Sequence, residues 1–155
     1  MTITKKIPII LLSSWLLTAC SQGVLYSEFT EVSPLGWNKD SAVTFVYNIQ
    51  DTFSACDVLL HVRHHDNYPY QNMWLFLSST NPKGQITKDT IEFFLADERG
   101  RWLGNGKNGL VTMPVLYEHN YHFTDTGTYI LSIRQGMRTD LLRGVSQVGL
   151  EICKP

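Results

Sequence analysis

The sequence has little net charge and no excess of either sign. Its 155 residues include 13 Lys and Arg against 14 Asp and Glu, which gives a formal net charge of −1 at pH 7. Nucleic-acid-binding domains normally carry a basic excess or a clustered basic stripe, so this balance argues against a nucleic-acid partner. Charged residues are only 17% of the chain and hydrophobic residues 43%, a composition too apolar for a disordered protein. The length is that of a single globular domain.

The chain also lacks an N-terminal apolar run long enough to cross a bilayer as a helix, which takes roughly 20 residues. The largely apolar run at residues 7–17 has only 11 residues. It follows Lys5 and Lys6 and leads into the sequence Leu-Thr-Ala-Cys that ends at Cys20. A basic segment, a short apolar segment and a small residue before the cleavage point are typical of a secretory signal. The ending resembles the bacterial lipobox, in which the peptide is cut before the cysteine and that cysteine is acylated.

The lipobox predicts three parts of the chain. Residues 1–19 are a lipoprotein signal peptide, residues 20–25 an acylated N-terminus with a short tether, and residues 26–155 the folded domain. Loss of the signal removes Lys5 and Lys6 and leaves 11 basic residues against 14 acidic ones. Each acyl chain contributes roughly 0.8 kcal/mol per buried methylene, so several chains on Cys20 anchor the protein to a membrane.

Few cysteines remain after Cys20. Cys56 and Cys153 lie in a compartment that permits disulfides, on an early and on the last strand candidate. Neighbouring strands would allow a Cys56–Cys153 disulfide. However, Cys56 alternates in phase with the core-like Val58, whereas Cys153 is out of phase with Ile152. A disulfide and two free thiols are therefore both open.

Helical periodicity is missing, and alternation with a period of two predicts strands instead. The segment at residues 73–77 is apolar at every position, which favours a central strand covered on both faces. Turn signals rich in Gly and Asn separate the strand candidates. The pattern predicts an all-β fold, a single antiparallel β-sandwich of about eight strands with immunoglobulin-like or jelly-roll topology. The predicted core contains Phe45, Tyr47, Leu75, Phe93, Leu95, Leu131 and Ile133.

One short motif supports this architecture. The sequence from Asp125 to Tyr129, Asp-Thr-Gly-Thr-Tyr, resembles the tyrosine corner of β-sandwiches. It predicts that the Tyr129 hydroxyl bonds back to the nearby backbone.

The histidines do not have the spacing of a metal site. Imidazoles bind zinc well, but along a strand His61 and His65 share one face while His64 points to the other. His119 and His122 also fall on opposite sides of an extended segment. We therefore expect no metal and interpret these side chains as surface or strand-edge histidines.

Recognisable catalytic motifs are absent as well. Asp89, Asp97, Glu98 and Asp125 lie beside turns, where carboxylates usually face water, and their spacing does not define a glycosidase pair. The chain has no Gly-x-Ser-x-Gly elbow. We expect a protein that is not an enzyme and that needs no cofactor.

The aromatic residues with polar neighbours are the best candidates for binding, because aromatic faces stack on sugar rings and anchor protein interfaces. They are Tyr68, Tyr70, Trp74 and Trp102, and the alternative for the two tryptophans is packing in or beside the core. Residues 99–109 are rich in Gly and Asn, which argues against a regular strand there. Trp102 and Leu103 are the large apolar groups of this segment. Trp102 either docks a partner or folds back over the end of the sandwich as a plug. The candidate partner-binding residues are Tyr68, Tyr70, Trp102 and Leu103.

Four motifs together indicate a family. Their order and spacing resemble the gliding-motility lipoprotein GldH family of Bacteroidetes, over residues 26–152 and including the lipobox. The motifs are Tyr68-Pro69-Tyr70-x-Asn72-x-Trp74-Leu75-Phe76, Asp89-Thr90-Ile91-x-x-x-Leu95-Ala96-Asp97, Gly100-x-Trp102-Leu103-Gly104-x-Gly106 and Gln135-Gly136-Met137-Arg138.

The resemblance implies a cell-envelope lipoprotein associated with gliding motility and the linked type IX secretion machinery, without known catalytic residues. We expect a non-enzymatic protein that docks other envelope proteins. The alternative is a carbohydrate-binding module that uses the exposed aromatics. No acidic run follows Cys20 of the kind that resembles a surface-export signal, so we expect an outer-membrane protein that faces the periplasm.

Overall fold

The computed structural model describes residues 23–155, so the predicted signal peptide and Cys20 lie outside the described residues. Within them the chain forms strands and turns, and it contains no helix long and apolar enough to span a membrane. The strands are β1 (Val24–Glu31), β2 (Trp37–Asn38), β3 (Val43–Ile49), β4 (Cys56–His65), β5 (Asn72–Thr80), β6 (Ile86–Phe94), β7 (Asn105–Lys107), β8 (Leu110–Tyr121), β9 (Gly127–Gln135), β10 (Leu141–Leu142) and β11 (Val145–Cys153).

Two sheets form a sandwich in which every strand pair is antiparallel. One sheet has the order β1-β11-β4-β8-β7 and the other β3-β9-β5-β6, while β10 and β2 form a small third sheet. Eight strands have seven residues or more. These eight pair as β1-β11-β4-β8 and β3-β9-β5-β6, which is the strand order of a jelly roll. The predicted β-sandwich is confirmed, and its topology is that of the jelly-roll alternative.

The core lies between the two sheets and follows the predicted alternation. Strand β3 alternates strictly between buried and exposed residues, with Phe45 fully buried. Each large apolar side chain removed from water in this way stabilises the fold by about 1.5–3 kcal/mol. Of the predicted core residues only Phe93, on the edge strand β6, is half-buried, and it packs against the core. The others are buried: Phe45, Tyr47, Leu75, Leu95, Leu131 and Ile133.

The tyrosine corner is also confirmed. The Tyr129 hydroxyl donates a hydrogen bond to the carbonyl oxygen of Asp125 at 3.0 Å. The Tyr129 ring stacks on Tyr47 of β3, with 5.7 Å between ring centroids. The motif therefore links the start of β9 to the neighbouring strand β3 and fixes the turn that precedes β9.

Two boundaries differ from the prediction. Strand β1 begins at Val24, two residues before the predicted start of the domain, because its first residues already pair with β11. The Gly- and Asn-rich segment contains strand β7, which pairs with β8 through a tight turn at Asn108 and Gly109. Both turn residues have positive φ, 55° and 77°, as a two-residue type I′ hairpin requires. The Asn-Gly pair that argued against a strand is thus the hairpin turn.

The disulfide alternative is not formed, and Cys56 and Cys153 are free thiols. Cys153 pairs across the ladder with Asp57, so Cys56 is its diagonal neighbour. Cys56 faces the core and is 1% exposed, whereas Cys153 faces the outer side of the sheet and is only partly buried. Burial raises the pKa of both thiols, so both are held in the neutral form.

Candidate functional site

The predicted binding residues lie at one end of the sandwich but do not form one surface. Tyr68 is 4% exposed, and its hydroxyl donates a hydrogen bond to the Asn72 carbonyl oxygen at 3.1 Å. The prediction that Tyr68 contacts a partner therefore needs correction, because its ring is part of the core. Tyr70 and Leu103 remain exposed, at 40% and 52%.

Trp102 covers a buried histidine at this end. Its ring packs edge-on against His64, with 4.5 Å between centroids, and Tyr68 lies 6.5 Å away on the same side. His64 is fully buried at the end of β4, which corrects the expectation of a surface histidine. His64 Nδ1 lies 2.8 Å from the His65 carbonyl oxygen and donates to it, while Nε2 has no hydrogen-bond partner among the described residues. Desolvation lowers the pKa of His64, so the ring is held neutral beneath Trp102.

Hydrogen bonds to Asp97 fix the turn that precedes Trp102. The Asp97 carboxylate accepts hydrogen bonds from the backbone N–H groups of Arg99 and Arg101, both at 2.9 Å, and from Arg101 Nε at 2.7 Å. These bonds hold the pKa of Asp97 below its usual range. The Leu103 N–H then donates to the Leu95 carbonyl oxygen at 2.8 Å. Trp102 therefore packs as a plug and Leu103 faces solvent.

The outer face of strand β5 is open, although the sequence predicted cover on both sides. Met73, Leu75 and Leu77 point into the core. Trp74 and Phe76 point outward and are 38% and 45% exposed, and Gly136 lies against both side chains. Strand β5 lies between β9 and β6, so the prediction of a central strand is confirmed. The prediction that both faces of this strand are covered is wrong.

The apolar area on this face extends to both sides of β5. Phe94, at the end of β6, is 60% exposed and pairs with Asn72. Met137, after β9, accepts a hydrogen bond at its sulfur from the Trp74 N–H at 3.4 Å. We call the resulting patch the aromatic surface; it consists of Tyr70, Trp74, Phe76, Phe94 and Met137. Tyr70 and Trp74 are among the aromatics that the sequence pointed to, whereas Phe76, Phe94 and Met137 are not. The apolar residues on both faces of β5 were the signal for Phe76.

Part of the aromatic surface is a groove of about 450 Å³. Tyr70 and Trp74 form its apolar walls, and Asn72 and Arg138 supply polar groups. At its base a Cβ on Gly136 would lie 3.1 Å from the Trp74 Cβ, a tight contact, so glycine favours the close approach of the β9 extension to β5. The surface therefore combines large apolar rings with charged groups at its rim, which include Glu92, Arg134 and Arg138.

The outer face of the other sheet is covered by its own side chains. Phe29 lies over Gly149, where a Cβ would come within 2.7 Å of the ring. The Arg63 guanidinium stacks on the Phe29 ring at 4.8 Å and also donates to Gln147 at 2.5 Å. His61 Nε2 lies 3.2 Å from Glu151, and desolvation nevertheless lowers the pKa of His61. These contacts leave this face without a comparable aromatic patch.

Three of the four acidic residues considered as catalytic candidates have separate local partners. Asp97 binds the residues 99–101 turn, Asp125 pairs with Lys83 at 2.6 Å, and Asp89 accepts a hydrogen bond from the Tyr117 hydroxyl at 3.2 Å. Within residues 23–155 no three His, Cys, Asp or Glu side chains form a metal-binding group. Asp89, Asp97 and Asp125 are therefore held by separate partners in the described part of the chain.

Comparisons with known proteins point to one family. The family model described as GldH lipoprotein matches residues 24–152. A protein from Christiangramia forsetii named gliding motility lipoprotein GldH homolog is 30% identical over 146 residues, covering 90% of this chain and 89% of its own. The gliding motility lipoprotein GldH of Flavobacterium johnsoniae is 29% identical over 155 residues, covering 96% of both chains.

The similarity to solved structures is weak. A family GH115 4-O-methyl-α-glucuronidase with specificity for decorated arabinogalactans matches 85% of this chain at 12% identity, with a TM-score of 0.44. The match spans only 18% of that enzyme, and it carries no argument about function.

Proposed function

The chain belongs to the GldH lipoprotein family, and from this premise we propose that it is a non-enzymatic gliding-motility lipoprotein that docks another protein of the cell envelope. In this proposal acyl chains on Cys20 hold it at the outer membrane, facing the periplasm. The partner belongs to the gliding or type IX secretion machinery and binds the aromatic surface.

The observation that carries the docking proposal is the open outer face of β5. A strand with apolar side chains on both faces normally has both faces covered, and here Trp74 and Phe76 remain 38% and 45% exposed beside the segment at residues 136–137. Interface cores are enriched in aromatic residues, Met and Arg, and Trp, Tyr and Arg dominate their binding energy. Tyr70, Met137 and Arg138 supply the same residue types beside these rings. A protein partner that covers this face would complete the burial of β5.

Copurification from crosslinked, intact envelope tests the docking surface. A double variant, Trp74→Glu with Phe94→Glu, places two charges in the aromatic surface while both positions stay outside the core. We expect it to recover partners at least tenfold less than the wild type, because about 1.4 kcal/mol of lost binding is tenfold in affinity.

Leu116→Glu is the matched control for that experiment. Leu116 is 54% exposed and lies on β8, in the other sheet. The control variant should recover partners at the wild-type level. Equal recovery by the double variant and the wild type would contradict docking through the aromatic surface.

Acylation is tested separately at Cys20. A Cys20→Ala variant should accumulate as an uncleaved precursor or a soluble protein and should not incorporate a labelled fatty acid. A processed, lipid-labelled Cys20→Ala protein would show that the anchor is elsewhere. The aromatic surface is unchanged in this variant, so this result would leave the docking test intact.

A glycan is a second candidate ligand because the groove sets Tyr70 and Trp74 beside Asn72 and Arg138. Aromatic faces stack on sugar rings while polar groups fix their hydroxyls. Titration with envelope oligosaccharides should then change tryptophan fluorescence in the wild type and not in Trp74→Thr. If glycans leave the emission unchanged while copurification depends on Trp74, the partner is a protein.

A further inference from the structure

The folded domain begins very close to the proposed anchor. Strand β1 starts at Val24, and its pairing with Cys153 fixes that position. Only three residue steps join Cys20 to Gly23, and an extended chain covers about 3.3–3.6 Å per residue. If Cys20 is acylated as proposed above, Gly23 therefore lies within about 11 Å of the lipid-bearing residue, and Val24 at the start of β1 lies within about 14 Å.

The same end of the sandwich carries the loop between β3 and β4. Val24 pairs with Cys153, and Cys153 pairs in turn with Asp57 near the start of β4. Two strand spacings of about 4.8 Å separate β1 from β4, so the loop at residues 50–55 is about 10 Å from β1 across the sheet. The Lys154 N–H also donates to the Gly23 carbonyl oxygen at 2.8 Å. We call this end, with Val24, the 50–55 loop and Lys154, the tether end.

The 50–55 loop holds one aromatic ring in solvent. Phe53 is 92% exposed, the highest exposure among the large apolar residues of the described chain. The Asp51 carboxylate accepts hydrogen bonds from the Phe53 N–H at 2.8 Å and from the Ser54 hydroxyl at 2.5 Å. These bonds lower the pKa of Asp51, which keeps the carboxylate ionised and the loop conformation fixed at neutral pH. The hydrogen bonds of Asp51 therefore hold the backbone of the loop at Phe53, whose ring lies in solvent.

Other exposed apolar groups and few basic ones accompany Phe53. Leu25 and Val24, at the start of β1, are 53% and 43% exposed. The positive charge of Lys154 lies near Asp51 and helps to lower the pKa of the Asp51 carboxyl group. Asp57 pairs with His119 at 2.8 Å. The tether end thus presents apolar groups with mixed charges, which suits the interface of a bilayer without a requirement for anionic lipid.

We infer that the tether end lies on the bilayer and that Phe53 inserts into the headgroup region of the same membrane that holds the acyl chains. The inference rests on the proposed acylation of Cys20. It orients the whole domain, because β5 runs toward this end and its first residues lie farthest from it. Strand β9 begins at this end, where Gly127 pairs with Ile49 at the end of β3. Thr80, at the end of β5, pairs with Ile130 near the start of β9, whereas Trp74 lies six residues earlier. At about 3.3 Å per residue the aromatic surface is held roughly 20 Å farther from the membrane, where an envelope protein can reach it.

Depth-dependent fluorescence quenching tests this orientation. The full-length acylated protein is reconstituted into phosphatidylcholine vesicles that contain brominated phosphatidylcholine, which quenches tryptophan on contact. Phe53→Trp should lose at least a third of its added emission to the brominated lipid. Leu103→Trp, an exposed position at the opposite end, is the matched control and should lose none. Both positions are exposed, so neither substitution disturbs the core.

The outcomes separate this inference from the proposed function. A protein that does not float with the vesicles overturns the acylation of Cys20 and with it the orientation. A protein that floats while Phe53→Trp is unquenched, or while Leu103→Trp is quenched equally, overturns the orientation alone. Quenching should be the same with phosphatidylglycerol added to the vesicles, and quenching that appears only with this anionic lipid would contradict an apolar contact.

Discussion

Trp102 and Trp74 belong to the same set of aromatics in the sequence, and the fold gives them opposite environments. The turn at Asp97 and the hydrogen bond from Leu103 to Leu95 fix the position of Trp102, whose ring covers His64 at the end of the sandwich. Trp74 lies on the outer side of a central strand and is 38% exposed. Both are large apolar rings near polar neighbours. The difference arises from which surface of the sandwich each residue occupies.

The comparison separates stability from binding. A ring that fills the end of the core stabilises the fold, because its removal loses packing contacts and leaves a cavity. A ring on an open face contributes little to folding and supplies apolar area to a partner. The account therefore assigns a structural function to Trp102 and a docking function to Trp74, and substitutions at the two positions should have opposite consequences.

The largest effect on stability is expected at the plug. Trp102→Ala should destabilise the domain by about 3 kcal/mol, at the lower end of the range for a truncated tryptophan because the ring is only half-buried. This corresponds to a fall of about 10 °C in melting temperature by circular dichroism. The neighbouring exposed residue gives the control, since Leu103→Ala should stay within about 0.5 kcal/mol. A Trp102→Ala protein that melts within 2 °C of the wild type would contradict the structural function of Trp102.

The next largest effect is a decrease in the free energy of unfolding at acidic pH, because the buried His64 ring is neutral. Its folded pKa is lowered, so the unfolded chain takes up the proton first as the pH falls. The contribution of neutral His64 to the free energy of unfolding is therefore fully present at pH values above the unfolded pKa of about 6.5. At lower pH it decreases by at most about 1.4 kcal/mol per pH unit for one proton.

Urea unfolding at pH 7 and pH 5 measures this effect. His64→Gln should show a smaller difference between the two pH values than the wild type, while His61 keeps its own contribution in both proteins. His122→Gln changes an exposed histidine and should behave like the wild type. An unchanged pH dependence in His64→Gln would mean that the plug does not cover a neutral histidine.

The smallest stability effect is expected on the open face. Trp74→Thr keeps a residue that favours strands and should cost no more than about 1 kcal/mol. Its crosslinked partners should nevertheless be lost, whereas Trp102→Ala should retain them at a temperature where the domain stays folded. A destabilisation of 3 kcal/mol in Trp74→Thr would assign both tryptophans to the core.

The sequence predicted the parts of the fold that depend on local pattern. Alternation identified the long strands, and Asp125 to Tyr129 identified the tyrosine corner. The end of the sandwich was not predictable in this way. Tyr68 and His64 are buried because β4 pairs with distant β11 and β8, and no local spacing encodes that burial. The aromatic surface was found only in part, because alternation shows that Phe94 points outward but does not reveal which groups lie next to it.

Site-specific photocrosslinking in living cells tests the central claim most directly. A photoreactive phenylalanine analogue is placed at position 94, in the aromatic surface, and in a second strain at position 116 on the opposite outer face. The account predicts a discrete crosslinked envelope protein from position 94, lost when Trp74→Glu is added, and none from position 116. The same crosslinked protein from both positions, or none from position 94, would contradict docking through the open face of β5.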